Sequence, residues 1–215
     1  MNHYATAGIV LLCAGLFSNL VCAAEQRSAA DVIPAEDYAL YDQTVESIFL
    51  TSYTKLVMIE RMTVARLLPD QTEPITIGSV QDRNYFLGQL PSDLVRDFVG
   101  ANREAVRLEG RFQFGVRYRF VTGQSLEEPE VSAAVPAQAG RAAPVQAAPV
   151  LERLGFSRVG RTLRQDQALV YVEQIRPDET GAGFLVWFHR EGREWVVYDT
   201  EVVWTLRSEE ELESR

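Results

Sequence analysis

The sequence has very little of the chemistry on which most catalytic and metal sites depend. Its 215 residues include two cysteines and two histidines, and Cys13, Cys22 and His3 all lie near the N-terminus. A cysteine–histidine nucleophile and a zinc site therefore have almost no residues available. Lysine is equally scarce, with Lys55 alone beside 20 arginines. The chain also lacks a phosphate-binding glycine loop, a dinucleotide fingerprint and a nucleophile elbow, so neither a metal nor a cofactor is expected.

The charge balance is acidic, which excludes one large class of partner. Acidic residues outnumber basic ones by 30 to 21, so the formal net charge is −9 at pH 7. Nucleic-acid phosphates repel such a surface, and no nucleic-acid partner is expected. The hydrophobic content of 47% and the charged content of 24% are typical of one globular domain.

The N-terminal stretch has the pattern of an export signal. Residues 8–17 are apolar, a run shorter than the roughly 20 residues that a transmembrane helix needs. Ala23 and Ala24 follow and Glu25 opens a polar segment, which predicts a signal peptide over residues 1–24. The mature protein is then expected to be periplasmic or secreted, without a stable membrane span. Two alternatives stay open, a signal anchor and a lipoprotein attached through Cys22.

The remaining chain is predicted to form one domain interrupted by a stretch of different composition. Its parts are a helix and strand region over residues 25–122, an Ala/Pro-rich linker or insertion over 123–150, a β-meander over 151–207 and an acidic tail over 208–215. The Ala/Pro-rich stretch shows no apolar period, so we expect it to be a flexible linker or an exposed insertion between two hairpin strands.

Apolar periodicity predicts the helices and strands of an α+β domain. The elements expected in the first part are a helix over residues 34–50, a strand over 55–65, a helix over 91–107 and an antiparallel strand over 111–121. In the last of these, alternation places Phe112, Phe114 and Phe120 on one face. The second part is expected to contain strands over residues 156–162, 167–174, 183–189 and 194–205. The predicted fold is thus one or two N-terminal helices packed on a curved, mostly antiparallel sheet. Strands that are apolar on both sides indicate a sheet covered on each face, or one curved around a pocket.

Several motifs resemble those of an uncharacterised family of exported bacterial proteins. They are an S-x-V-G strand at residues 157–160, the strand "ALVYV" at 168–172, the glycine pair Gly181 and Gly183, and a final strand with Trp195 and Trp204. The order of elements is also similar to that of the NTF2-like cone fold. The resemblance implies a helix against a curved sheet, and it brings no activity, cofactor or catalytic residue.

Glu60 is the first candidate for chemistry. In a regular strand it would share a face with Leu56 and Met58, and a carboxylate on an apolar face has a raised pKa suited to acid or base work. The alternative is an ion pair with an arginine across the sheet. Replacing Glu60 by Gln would distinguish a change in ligand binding from a loss of folding.

His189 and three arginines are the other candidates. His189 is a possible general base at a strand end, or else a solvated residue beside a turn. Arg111, Arg117 and Arg119 share a predicted strand face and form a candidate site for an anionic ligand, or else ordinary solvent-facing charge.

Three functions follow from this inventory. The expected one is a non-enzymatic binding or interaction module of the cell envelope, because the catalytic inventory is nearly empty. The second is a small-ligand carrier with a pocket in a curved sheet. The third is an isomerase or hydrolase that uses the Glu60 carboxylate. The partner is an unidentified protein or small molecule in the first two.

Overall fold

The computed structural model describes residues 32–123, 125–127, 153–176 and 180–207. The predicted signal peptide, most of the Ala/Pro-rich stretch and the acidic tail lie outside these residues. Among the described residues, none forms a helix long and apolar enough to span a membrane. This part of the chain contains three helices, α1 (Ala35–Thr44, continued by a π-helical turn Val45–Phe49), α2 (Ile77–Asp82) and α3 (Ser92–Ala101), with a 3₁₀ turn at Tyr85–Gly88.

The eight strands of the described residues form one open, mixed sheet. They are β1 (Leu56–Glu60), β2 (Arg117–Thr122), β3 (Ser125–Leu126), β4 (Arg153–Phe156), β5 (Gly160–Arg161), β6 (Gln167–Ile175), β7 (Gly181–Glu191) and β8 (Glu194–Leu206). The order across the sheet is β3-β2-β1-β4-β6-β7-β8, and β5 pairs with β6. β1 is parallel to β2 and β4, and the other pairings are antiparallel. The predicted α+β fold on a mostly antiparallel sheet is confirmed, with three helices in the described residues instead of one or two.

The second predicted helix ends earlier than its apolar pattern indicated. α3 stops at Ala101, and the amide of Asn102 donates hydrogen bonds to the carbonyls of Phe98 and Arg158 at 2.9 and 3.0 Å. The Asn102 side chain thus bonds a carbonyl of the last helical turn and links the end of α3 to the segment before β5. The chain leaves the helix at this residue. Leu108, just after the predicted helix, is buried and reaches the core from a loop.

The strand predicted over residues 111–121 is shorter, and its main partner is parallel. It begins at Arg117 as β2, which runs parallel to β1 and antiparallel only to the two residues of β3. The preceding residues are irregular because their amides are bonded elsewhere, as Gln113 N–H is to the carboxylate of Asp42 at 3.0 Å. The alternation nevertheless predicted the buried side correctly, since Phe112, Phe114 and Phe120 all lie in the core.

The sheet is covered on both faces by described residues. β6 is buried along almost its whole length, with Val170 and Val172 on one face and Leu169 and Tyr171 on the other. The first face packs against α1 and the aromatic residues before and within β2. The second packs against α2, the 3₁₀ turn and α3. The predicted meander is confirmed for β6, β7 and β8, while the strand expected over 156–162 is divided between β4 and β5.

Candidate functional site

A cleft of about 550 Å³ opens on the second face of the sheet, where β1, β4 and β6 meet the loop after β1. Its charged lining residues are Glu60, Arg66, Glu73, Arg103, Arg153 and Glu173. Its apolar walls are formed by Met62, Val64, Ala65, Pro74, Ala105 and Ile175. The cleft therefore combines three positive and three negative side chains with an apolar surface.

Strand register brings two carboxylates to the floor of this cleft. Gly155 of β4 lies opposite Glu173 of β6, and the parallel pairing of Met58 with Arg153 places Glu60 level with Gly155. The three positions are thus consecutive across the sheet and share one face, with backbones about 10 Å apart from β1 to β6. A Cβ atom at Gly155 would lie 2.8 Å from Cγ2 of Val64 and 3.1 Å from Cγ of Glu173. Glycine therefore leaves room between the two carboxylate positions for the side chains of Val64 and Glu173 to pack against β4.

Glu60 forms the cross-sheet ion pair that was the alternative to a functional role. Its Oε1 lies 3.0 Å from Nε of Arg153, and Nη1 of that arginine donates to the carbonyl of Gly123 at 2.9 Å. Burial raises the pKa of Glu60, and the positive charge of Arg153 offsets part of this rise. Glu60 is thus both an ion-pair partner and a lining residue of the cleft.

Glu173 is the more deeply buried carboxylate, at 2% exposure. Its Oε1 accepts a hydrogen bond from Nη2 of Arg66 at 2.8 Å, and its Oε2 accepts one from the hydroxyl of Tyr171 at 3.3 Å. Burial raises the pKa of Glu173, while Arg66 and the Tyr171 hydroxyl act in the opposite direction. Nε1 of Trp204 in turn donates to the Tyr171 oxygen at 2.8 Å, which completes a chain of bonds from β8 to the cleft floor.

Gly183 makes this chain possible. A Cβ atom there would collide with the indole nitrogen of Trp204 and approach the Tyr171 oxygen to 2.8 Å. The glycine and tryptophan that carried the family resemblance therefore act together in supporting Glu173. Sequence reasoning missed Glu173, although one signal was present: an acid inside a strand that is apolar on both sides.

The rim of the cleft has one charge of each sign without an ion-pair partner among the described residues. Glu60 and Arg153 neutralise each other, as do Glu173 and Arg66. Arg103 and Glu73 both line the cleft, and both residues are exposed to solvent.

None of the other predicted candidates lines the cleft. The His189 ring stacks on Tyr198 at 3.9 Å, and its position six residues along β7 from Gly183 puts it roughly 20 Å from Glu173. Arg111 pairs with Glu109 at 2.6 Å, and Arg117 is exposed on β2. Nη2 of Arg119 donates to the carbonyl of Glu127 at 3.1 Å.

Two further sources of evidence about the function are possible metal ligands and similar proteins. The described residues contain no group of three His, Cys, Asp or Glu side chains that could hold a metal ion. Comparison of the chain with protein-family models, curated proteins and solved structures finds no match.

Proposed function

We propose that the protein is a non-enzymatic binding protein that holds a small zwitterion with an apolar body in the Glu60–Glu173 cleft. The charge balance of the lining carries this proposal. In the ion pairs Glu60–Arg153 and Glu173–Arg66, each charge is already balanced by its partner. Arg103 and Glu73 are therefore the lining charges that can bind one anionic and one cationic group of a ligand. The volume of about 550 Å³ is in the range of small-molecule sites, and the apolar walls suit an aliphatic side chain.

Binding is favoured over carboxylate catalysis by the state of the two glutamates. A general acid or base has to reach the reacting group at hydrogen-bond distance. Glu173 is almost fully enclosed and both of its oxygens are engaged, while Glu60 is held by Arg153. Glu60 and Glu173 are therefore suited to maintaining the structure of the cleft more than to exchanging protons with a substrate.

Calorimetric titration with leucine and two analogues tests the proposal. The analogues are 4-methylpentanoate, which lacks the amino group, and 3-methylbutylamine, which lacks the carboxylate. We expect leucine to bind at least about tenfold more tightly than either, because each analogue loses one charge-assisted contact. The chain is recovered from an exporting host, and its intact mass shows whether the segment before Glu25 has been removed. Export to the periplasm or the medium is part of the proposal, and the apolar stretch at residues 8–17 supports it.

Matched variants connect the affinity to the rim. Arg103→Ala and Glu73→Ala should each weaken leucine binding about tenfold, and Glu73→Ala should leave 4-methylpentanoate binding unchanged or tighter. Arg117→Ala removes an exposed arginine outside the cleft and should have no effect. The proposal fails if leucine binds no better than its analogues, or if Arg117→Ala weakens binding as much as Arg103→Ala does.

A further inference from the structure

A second cavity, of about 290 Å³, lies where the loop after β1 faces α2 and the 3₁₀ turn. Its volume is near the lower limit of small-molecule sites, so it can hold part of a ligand. Its apolar walls include Leu67, Leu68 and Tyr85, and its charged lining residues are Asp70, Glu73 and Arg83.

The second cavity and the Glu60–Glu173 cleft adjoin along residues 71–74 of the loop. Gln71, Glu73 and Pro74 line both of them. The Gln71 side chain accepts a hydrogen bond from the N–H of Leu67 at 3.0 Å and donates one to the carbonyl of Glu73 at 2.7 Å. These two bonds hold Glu73 at the boundary between the cavities. Because Glu73 and Pro74 are exposed to solvent, a ligand can cross the segment on its outer side.

Asp70 and Arg83 are the charged groups that the second cavity adds to those of the cleft. Both are exposed to solvent, and neither has an ion-pair partner among the described residues. The hydroxyls of Thr76 and Ser79 are already engaged, since each accepts a hydrogen bond from the other residue's backbone N–H at 3.0 Å in the cap of α2. A carboxylate can bind an ammonium group and a guanidinium can donate to a carbonyl oxygen, so the cavity offers one partner for each of these ligand groups.

The positions of Arg103 and Glu73 give the ligand a direction. Arg103 lines only the Glu60–Glu173 cleft, whereas Glu73 lines both cavities. A zwitterion with its carboxylate on Arg103 and its nitrogen on Glu73 therefore reaches the second cavity by extension from the nitrogen. Joining a second amino acid to that nitrogen leaves one N–H to donate to Glu73. It also adds a carbonyl and a new ammonium group, which match Arg83 and Asp70.

We propose that the ligand is a dipeptide with a leucine-like C-terminal residue. This residue lies in the Glu60–Glu173 cleft, with its carboxylate on Arg103 and its peptide N–H on Glu73. The N-terminal residue lies in the second cavity, with its ammonium group on Asp70 and the peptide carbonyl on Arg83. The dipeptide is a zwitterion, and the inference rests on the proposed function.

Calorimetric titration with the isomers Ala-Leu and Leu-Ala tests the direction. Both are zwitterions of the same composition, but only Ala-Leu combines a C-terminal leucine with an extension from its nitrogen. Ala-Leu should bind at least about tenfold more tightly than leucine or Leu-Ala, because it gains charge-assisted contacts in the second cavity. Binding of Ala-Leu no tighter than that of leucine or of Leu-Ala would overturn the dipeptide. Failure of the proposed function is distinguishable, because it is read from leucine against 4-methylpentanoate and 3-methylbutylamine.

Asp70→Asn connects the preference to the second cavity. The variant lacks the negative charge that binds the ammonium group, so most of the preference for Ala-Leu over leucine should disappear. Asp82→Asn is the matched control, because Asp82 is an exposed acid of α2 that lines neither cavity, and it should keep the preference. Circular dichroism shows that both variants are folded. A preference that survives in Asp70→Asn, or that is lost equally in Asp82→Asn, would overturn the proposal.

Discussion

At the scale of the residue, Glu173 is the charge whose burial shapes the cleft. Enclosing its carboxylate raises the pKa even with Arg66 and Tyr171 bonded to it. When the pKa of a carboxyl is higher in the folded than in the unfolded protein, its protonated form stabilises the fold. This stabilisation is fully present below the ordinary pKa of 4.5 and is lost as the pH rises through the pKa of the folded protein. Ionisation of Glu173 as the pH rises therefore weakens the fold.

Glu173→Gln should remove this pH dependence. The variant cannot ionise, so its free energy of unfolding relative to the natural chain should increase as the pH rises above 4.5. Urea unfolding at several pH values between 4 and 8 measures the difference. Glu46→Gln, at an exposed position on the π-helical turn after α1, serves as the matched control. A difference that stays constant or falls with pH would contradict the burial of an ionisable Glu173.

The sequence predicted one of the two floor carboxylates and could not predict their partners. Glu60 stood out because alternation in β1 placed it beside Leu56 and Met58, and it does line the cleft. The arginines that neutralise Glu60 and Glu173 come from β4 and from the loop after β1, far away along the chain. The sequence has 20 arginines, and only the folded structure shows that Arg153 and Arg66 are the two that pair with these carboxylates.

At the scale of the element, the packing of α3 on β5 depends on a position without a side chain. A Cβ atom at Gly160 would lie 2.5 Å from Cα and Cβ of Phe98 and 2.7 Å from its backbone nitrogen. Because two of these atoms belong to the helix backbone, a larger residue at this position would have to displace α3 from the sheet.

Gly160→Ala should therefore destabilise the protein by about 1–3 kcal/mol, the usual cost of overpacking a core. Gly100→Ala is the matched control on the helix itself, where an added Cβ meets no atom within 4 Å beyond its chain neighbours and the backbone of its own helix. It should stabilise the fold by up to about 1 kcal/mol, since alanine restricts the unfolded chain and favours a helix. Chemical denaturation of both variants measures the pair of effects, and equal changes in the two would show that α3 and β5 are not in close contact.

Periodicity predicted the buried faces of elements better than their ends and neighbours. Phe112, Phe114 and Phe120, which alternation placed on one face, are all buried. The end of α3 was not predictable, because it depends on Asn102 bonding to Arg158, which is 56 residues away. The parallel pairing of β2 with β1 was equally hidden, since an alternating pattern describes one half-buried strand without identifying the strand beside it.

At the scale of the whole molecule, the Ala/Pro-rich stretch joins strands that are not neighbours. It was expected over residues 123–150 as a linker or as an insertion between two hairpin strands. β3 lies inside that range, and the strands on either side of the remainder, β3 and β4, are separated by β2 and β1. Glu127 bonds to the carbonyl of Phe120, which lies opposite Ile59, and Arg153 lies opposite Met58. The two ends are thus at nearly the same height along the strands, three strand spacings or about 14 Å apart.

This geometry predicts that much of the stretch is dispensable for folding. Replacing residues 130–149 by about ten Gly and Ser residues leaves a connection whose average reach of roughly 20 Å exceeds the distance to be spanned. Halving a loop changes its closure entropy by only about 0.6 kcal/mol, so the free energy of unfolding and the affinity for leucine should both be retained. Joining Glu127 directly to Arg153 is the control, and it should abolish the fold because one peptide unit spans 3.8 Å. A loss of more than about 3 kcal/mol in the shortened chain would instead mean that the replaced residues pack against the sheet, because loop entropy alone is too small to account for it.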